Sequence, residues 1–326
     1  MELLCKKPAV SVVIPTRNRP RLVHRAVESV IKQTYSDLEI IVVIDGPDLD
    51  TWNLLETIED PRLRVVALEK SLGGAGTRNT GVTNSLGRWV AFLDDDDEWL
   101  PNKLERQLYV AEHSIHRYPI VSSRLIARSP NADFIWPNTA PYEPIADYLM
   151  QRKGMFQGDG LIQTSTILVS AELMRKCPFN EGLKKHQDWD WLIRAMAREG
   201  AGIDFVGDPL VVWYIEENRS AISASVDWHF SMNWLDSVKE HCSMAAYSTF
   251  LLTVLGASAA NQGDWGAFFP ILMKASNTGE AKARHVLLYI AMWLLPRNIR
   301  HQIRAICIGR SQKKPSTLLC HAAPLG

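Results

Sequence analysis

Five consecutive acids, Asp94, Asp95, Asp96, Asp97 and Glu98, follow the apolar run Trp89-Val90-Ala91-Phe92-Leu93 without a break. Carboxylates this crowded repel one another and raise each other's pKa unless a cation sits among them. A divalent metal is the simplest neutraliser. Mg²⁺ and Mn²⁺ favour carboxylate oxygens and often take only one or two from the protein, the rest coming from phosphates and water. The competing reading is a solvated acidic loop or a helix N-terminus, because Asp and Glu favour a first turn and Pro101 can open a helix. Position favours the ligand reading, since open α/β sheets bind ligands at the carboxyl ends of their strands. Asp97 and Glu98 read as caps of the helix that follows.

The elements around these acids alternate. Val10 to Ile14 and Leu38 to Ile44 are short, continuous, β-branched runs stopped by Pro15 and by Asp45-Gly46-Pro47, as buried parallel strands are. Between them, Arg21 to Gln33 has helical spacing. A helix over 50–59, a strand over 63–68, a glycine-rich helix over 73–86 and the strand over 89–93 complete a β-α-β-α-β-α-β pattern. That pattern predicts a mostly parallel sheet with helices on both faces. After Pro101 the spacing predicts a helix to His113, a strand over 120–127, a loop over 133–144 and a strand over 161–170. Helices over 171–176 and 188–198 follow, then a closing pair of strands over 203–206 and 210–215. The expected break lies at 218–225. It separates a catalytic domain, 1–225, from a helical C-terminal region, 226–326.

Length and composition allow one large domain with an appendage. The 326 residues carry zero formal net charge, which argues against nucleic acid as a partner. The charge is unevenly placed, because residues 281–326 hold eight Lys and Arg and no acid. Cys5, Cys177, Cys242, Cys307 and Cys320 are scattered and odd in number, which reads as reduced thiols. With no apolar signal-peptide core at the N-terminus and no run long enough to span a bilayer, a cytoplasmic protein is expected.

Motifs within this frame resemble family 2 glycosyltransferases of the GT-A fold. Ser11-Val12-Val13-Ile14-Pro15-Thr16-Arg17-Asn18-Arg19 resembles the family's first strand and nucleotide-binding turn, and Ile40 to Gly46 its second strand and base-binding aspartate. Gly73-Gly74-Ala75-Gly76-Thr77-Arg78-Asn79-Thr80-Gly81 resembles the glycine-rich segment, with Thr77 where Ala is usual. Phe92 to Asp97 resembles the DxD motif, and Gln187-Asp188-Trp189-Asp190 the "ED" motif, with Gln187 where Glu is common. The resemblance covers about residues 8 to 220, with the motifs in order. It implies transfer of a sugar from a nucleotide-sugar, with inversion, using Mn²⁺ or Mg²⁺.

Roles follow residue by residue. Asp96, with Asp94, would hold the metal and neutralise the diphosphate as the sugar bond breaks. Asp94 and Asp95 would also meet the ribose or phosphates. A carboxylate at Asp45 accepts the imide N–H of uracil, against the alternative of a turn aspartate before Gly46, so a UDP-sugar is the expected donor. Pro15 and Arg17 would contact the base, and Arg78 the nucleotide, against the alternative of a solvated helix residue. Gly74 lets backbone approach the ligand or a neighbouring helix. Asp188 is the expected catalytic base, taking the acceptor hydroxyl's proton, against the alternative of an N-cap. His186 and Gln187 are expected to touch the acceptor, and Arg219 and Ser220 to close over the diphosphate.

The acceptor expected is a glycan or a lipid-linked one. The apolar body of 285–296 and the arginines after it have the character of a helix lying on an anionic membrane surface, against a packing helix with a basic tail. That would put the protein at the inner face of the membrane. A catalytically degenerate GT-A scaffold and a nucleotidyltransferase are the competing functions. The first would lack Asp96 or Asp188. The second would want glycine after the first strand, where Pro15-Thr16-Arg17-Asn18-Arg19-Pro20 has none.

Overall fold

The computed structural model describes residues 7–130, 132–151, 160–215 and 227–295, together with Ile299. The strands are β1 (Val10–Thr16), β2 (Leu38–Ile44), β3 (Leu63–Ala67), β4 (Trp89–Phe92), β5 (Glu98–Trp99), β6 (Tyr118–Arg128), β7 (Asp133–Trp136), β8 (Leu168–Ser170) and β9 (Ala201–Tyr214). The helices are α1 (Pro20–Ile31), α2 (Leu49–Leu55), α3 (Gly73–Thr83), α4 (Lys103–Glu112), α5 (Ile145–Met150), α6 (Ala171–Lys176) and α7 (Gln187–Met196). A helical region adds α8 (Trp228–Ser237), α9 (Met244–Phe250), α10 (Gly256–Gln262), α11 (Phe268–Ser276) and α12 (Ala283–Leu294).

The strands form one sheet in the order β3-β2-β1-β4-β8-β6-β9-β5, with β7 paired to β6. β1, β2, β3 and β4 run parallel, whereas β8 is antiparallel to β4 and to β6. Chain order runs one way from β1 to β3 and jumps to the other side at β4. The crevice at the carboxyl ends of β1 and β4 is therefore a topological switch point, where open α/β sheets bind ligands.

Side chains alternate between two cores. Val10, Val12 and Ile14 of β1 pack with Val23, Ala26 and Val30 of α1 and Leu104 of α4 on one face. Val13 joins Ala75 and Val82 of α3 and Trp191 of α7 on the other. α3 lies close to the sheet because residue 81 is glycine: a Cβ there would stand 2.3 Å from Val13 Cγ1.

Three details depart from expectation. The strand over 161–170 is only Leu168–Ser170, because the Gln163 side chain accepts Ser165 N–H at 2.8 Å and Thr164–Thr166 coil into a 3₁₀ turn. The closing pair is one long strand, β9, whose register against β6 slips around Arg124 and so absorbs the interruption at Gly207 and Asp208. The loop over 133–144 contains β7.

The helical region packs onto α5 and α7. Trp234 Nε1 donates to Asp190 Oδ1 at 3.2 Å, Ser243 N–H donates to Asp147 Oδ1 at 2.7 Å, and α8 to α12 share the core that holds Trp191 and Leu192. Arg219, Ser220, the expected break at 218–225, the basic residues Arg297, Arg300, Arg304, Arg310, Lys313 and Lys314, and Cys5, Cys307 and Cys320 lie outside the described residues. Cys177 and Cys242 are free thiols.

Candidate active site

Register alone brings the first motifs together. Val13 pairs with Phe92 and Thr16 with Ile44, so β1, β2 and β4 end side by side. Arg17, Asp45 and the acids then leave the sheet at the same edge. Thr16 Oγ1 donates to Asp95 Oδ2 at 2.8 Å, and Asp45 N–H donates to Thr16 O at 2.9 Å.

A cleft of about 620 Å³ opens there, and Pro15, Arg17, Asp45 and Gly74 line it together with Arg78, Asp94, Asp95 and Asp96. A second lobe of about 460 Å³ shares Arg19, Gly74, Arg78, Asp94 and Asp96 with the first and adds Asp188, Trp213 and Gln163. Apart from Arg219 and Ser220, which are not described, the site residues expected from the sequence line these two adjoining lobes, and Asp94 and Asp96 belong to both.

Asp45 is more occupied than a turn aspartate. Oδ1 accepts Leu72 N–H at 2.7 Å, while Oδ2 accepts Ser71 Oγ–H at 2.6 Å and Gly73 N–H at 3.2 Å. It anchors the start of α3, and Oδ1 keeps a lone pair for a further donor. Arg17 Nη1 donates to the same Ser71 hydroxyl at 2.9 Å.

Arg78 is not a solvated helix residue. Its Nη2 donates to Asp94 Oδ1 and its Nη1 to Gln187 Oε1 at 3.2 Å. The coulombic pull of Asp94 and the bond to it hold the guanidinium pKa up against the opposing effect of burial. Gly74 makes this possible, since a Cβ there would stand 3.0 Å from Arg78 Nη1 and 3.2 Å from Gln187 Oε1. Gln187 Nε2 is spent on Leu183 O at 2.6 Å, so Gln187 positions Arg78.

The acids differ sharply from one another. Asp94 and Asp96 keep 25% and 22% of their side-chain surface open. Asp95 is buried, and burial followed by the repulsion of Asp96 pushes its pKa up to about 6. Asp97 and Glu98 do not cap α4, whose N-cap is Asn102. Asp97 is buried and turned inward; its Oδ2 accepts from Gln163 Nε2 at 2.6 Å and Ser165 Oγ at 2.7 Å. Burial, then Asp94 and Asp96, hold its carboxyl well above the usual range. Glu98 lies in β5 and pairs with Arg25 Nε at 3.1 Å and with the Tyr214 hydroxyl at 2.6 Å.

Among the described residues no three Asp, Glu, His or Cys side chains gather as an all-protein metal site. The donors in the cleft nonetheless suit Mg²⁺ or Mn²⁺. Asp94 and Asp96 are hard oxygen ligands open to the cleft, and mutual repulsion among the acids persists although Arg19 and Arg78 are present. A cation there would complete its shell with phosphate and water.

Asp188 lies in the first turn of α7, and the N-cap is His186, in the left-handed region at φ 64°. Asp188 is therefore not the N-cap residue, although its carboxylate still serves the first turn. Asp188 Oδ1 accepts Trp189 N–H at 3.0 Å, and burial raises its pKa against the pull of that bond and of Arg78. His186 faces the same lobe, but its ring is committed to the protein, with Nε2 2.8 Å from Ser231 Oγ and the ring stacked 4.4 Å from Trp234.

Sequence reasoning missed Arg19, Gln163 and Ser165. Arg19 Nη1 bridges Asp95 and Asp96 at 3.1 Å each, and Gln163 and Ser165 hold Asp97 and Asp94 from behind. One sequence signal for the latter pair existed: Gln163-Thr164-Ser165-Thr166 is a polar run inside an apolar stretch, and all four residues are buried. Trp136 and Trp191 are core residues, Trp189 packs on Trp234 and Phe250, and Trp213 lines the cleft.

The chain is similar to known sugar transferases. A sequence model of glycosyl transferase family 2 matches residues 11–176. The amylovoran biosynthesis glycosyltransferase AmsB of Erwinia amylovora is 30% identical over 247 residues, which is 72% of this chain and 79% of the relative. The Escherichia coli UDP-Glc:alpha-D-GlcNAc-diphosphoundecaprenol beta-1,3-glucosyltransferase WfaP is 36% identical over 103 residues, 32% of this chain and 41% of that protein. Residues 1–349 of S. aureus TarS share the fold with a TM-score of 0.54 at 17% identity, covering 89% of this chain and 81% of the other. The same fragment in complex with UDP-GlcNAc gives 0.51 at 18% identity, covering 78% and 71%.

Proposed function

The chain belongs to glycosyl transferase family 2, and from that premise we propose that it moves a sugar, with inversion, from a UDP-sugar to a hydroxyl of a glycan or lipid-linked acceptor in polysaccharide or cell-surface glycan biosynthesis. The observation that carries this reading is the single cleft in which Asp94, Asp95 and Asp96 stand between the lobe of Asp45 and the lobe of Asp188.

In this mechanism the uracil ring lies beside Pro15 and Arg17 and donates its imide N–H to the remaining lone pair of Asp45. Asp96 and Asp94 would hold Mn²⁺ or Mg²⁺, which supplies Lewis-acid stabilisation of the diphosphate leaving group. Arg19 and Arg78 add fixed positive charge at the same place, where negative charge grows as the C1–O bond breaks. On the opposite side Asp188 takes the acceptor hydroxyl's proton as that oxygen attacks C1. A free Asp, with a pKa of about 4, is a weak base; burial strengthens this one. Arg78, tied to Asp94 and drawn to Asp188, couples the two sides of the cleft.

The test is calorimetric titration with UDP, GDP, dTDP and CDP, each with Mn²⁺ and again with EDTA. Metal-dependent binding of UDP alone is the expected result. No binding of any of them by the folded protein would favour the degenerate scaffold.

A peripheral place on an anionic membrane surface has one structural support. No helix among the described residues is long and apolar enough to cross a membrane. Trp265, Phe269 and Met273 are more than half exposed at and before α11, as are Leu287 and Leu294 on α12. On α12 His285, Tyr289 and Trp293 are buried in the core, while Val286, Leu288, Ile290 and Met292 are half-buried. Flotation with anionic vesicles should therefore be lost in Phe269→Ser/Met273→Ser; unchanged flotation would return these residues to ordinary surface.

A further inference from the structure

Among the described residues, the lobe that holds Asp188 contains a lysine that makes no ion pair. Its two arginines are committed, Arg19 to Asp95 and Asp96 and Arg78 to Asp94. Lys184 lines both lobes, whereas Lys185 lines only this one. Lys185 is half-buried and has no hydrogen-bond or ion-pair partner among the described residues, and burial lowers its pKa. Holding an ammonium partly out of water without an ion-pair partner is unfavourable, and an arriving anion would supply one. Asp94, Asp96 and Asp188 face the same space, so a negatively charged acceptor would be repelled without such a group, and a neutral acceptor would have no use for it. Trp213 supplies an apolar wall to the same lobe.

We propose that this lobe is built for an acceptor that carries its own negative charge, a diphosphate or a carboxylate, close to the reacting hydroxyl, and that Lys185 binds that charge. The inference rests on the reading of the Asp188 lobe as the acceptor side.

The experiment uses the full chain saturated with UDP and Mg²⁺, which occupies the donor side. Methyl diphosphate, methyl glucuronide and, as neutral control, methyl glucoside are then titrated calorimetrically into the wild type, Lys185→Gln and Lys185→Arg. One of the two anions should bind more tightly than the glucoside. Lys185→Gln should weaken it about tenfold, or about 1.4 kcal/mol, Lys185→Arg should retain most of the affinity, and UDP binding should be unchanged in both variants. The anion that responds names the source of the charge. UDP binding with no anion binding, or anion binding indifferent to Lys185→Gln, overturns the assignment alone. Weakened UDP binding in Lys185→Gln would move the lysine to the donor and also overturn it. Failure of the wild type to bind UDP at all overturns the donor site and this proposal together.

Discussion

Arg19 Nη1 lies 3.1 Å from Asp96 Oδ2, so the carboxylate proposed as the main metal ligand is already held by an arginine. The same nitrogen reaches Asp95 Oδ1 at 3.1 Å. The guanidinium thus occupies the position of a counter-ion and repels a second cation. Arg19→Gln should bind Mn²⁺ several-fold more tightly than the wild type in the absence of nucleotide, and should be less stable by about 1 kcal/mol because the pair is part-exposed. Manganese titration by electron paramagnetic resonance reads the first effect, and weaker binding would show that Arg19 does not compete.

Asp188→Asn should lower the transfer rate by about 10²- to 10⁴-fold, the range of a lost general base, and leave UDP affinity unchanged. The base acts ionised, and burial, which raises its pKa, should shift the acidic limb of kcat/KM upward from that of an ordinary aspartate. Activity is therefore lost as pH falls through that limb. Residual activity of Asp188→Asn that kept the limb would assign the base elsewhere.

His186 sets an acid sensitivity. Burial, with Lys185 adding repulsion, lowers its folded-state pKa to about 3, against about 6.5 in an unfolded chain. Between those values the unfolded state binds a proton that the folded state refuses, so stability falls as pH falls through that window. Denaturant midpoints at pH 7 and pH 5 should differ less in His186→Gln than in the wild type. An equal difference would show that the ring titrates freely.

Asp97→Ala should cost about 1–3 kcal/mol, the penalty for stranding buried polar groups, because Gln163 and Ser165 both donate to its Oδ2. Asp97→Asn keeps an acceptor oxygen there and should recover most of the loss. Thermal denaturation of the two variants reads the difference, and equal loss would mean that shape, not bonding, holds the acidic loop.

The sequence by itself determined the alternation of buried strands and helices, and with it the edge at which Pro15, Asp45 and Asp94 leave the sheet. Local chemistry suffices for that, since β-branched runs stopped by Pro, Gly and Asp have few other solutions. The motif acids were legible for the same reason. Burial and partnership were not, because both depend on residues remote in the chain. Asp94, Asp95, Asp96 and Asp97 are one residue type in one run, yet Asp97 turns inward to Gln163 while Asp94 and Asp96 stay open to the cleft. Asp188 comes to face that cleft only because α7 is docked on the sheet and against Trp234 and Phe250 of the C-terminal helices. Tertiary structure decided which carboxylate is buried and pushed furthest up in pKa, which is open to a cation and which is made more basic, since desolvation and neighbouring charge exist only once the chain has folded.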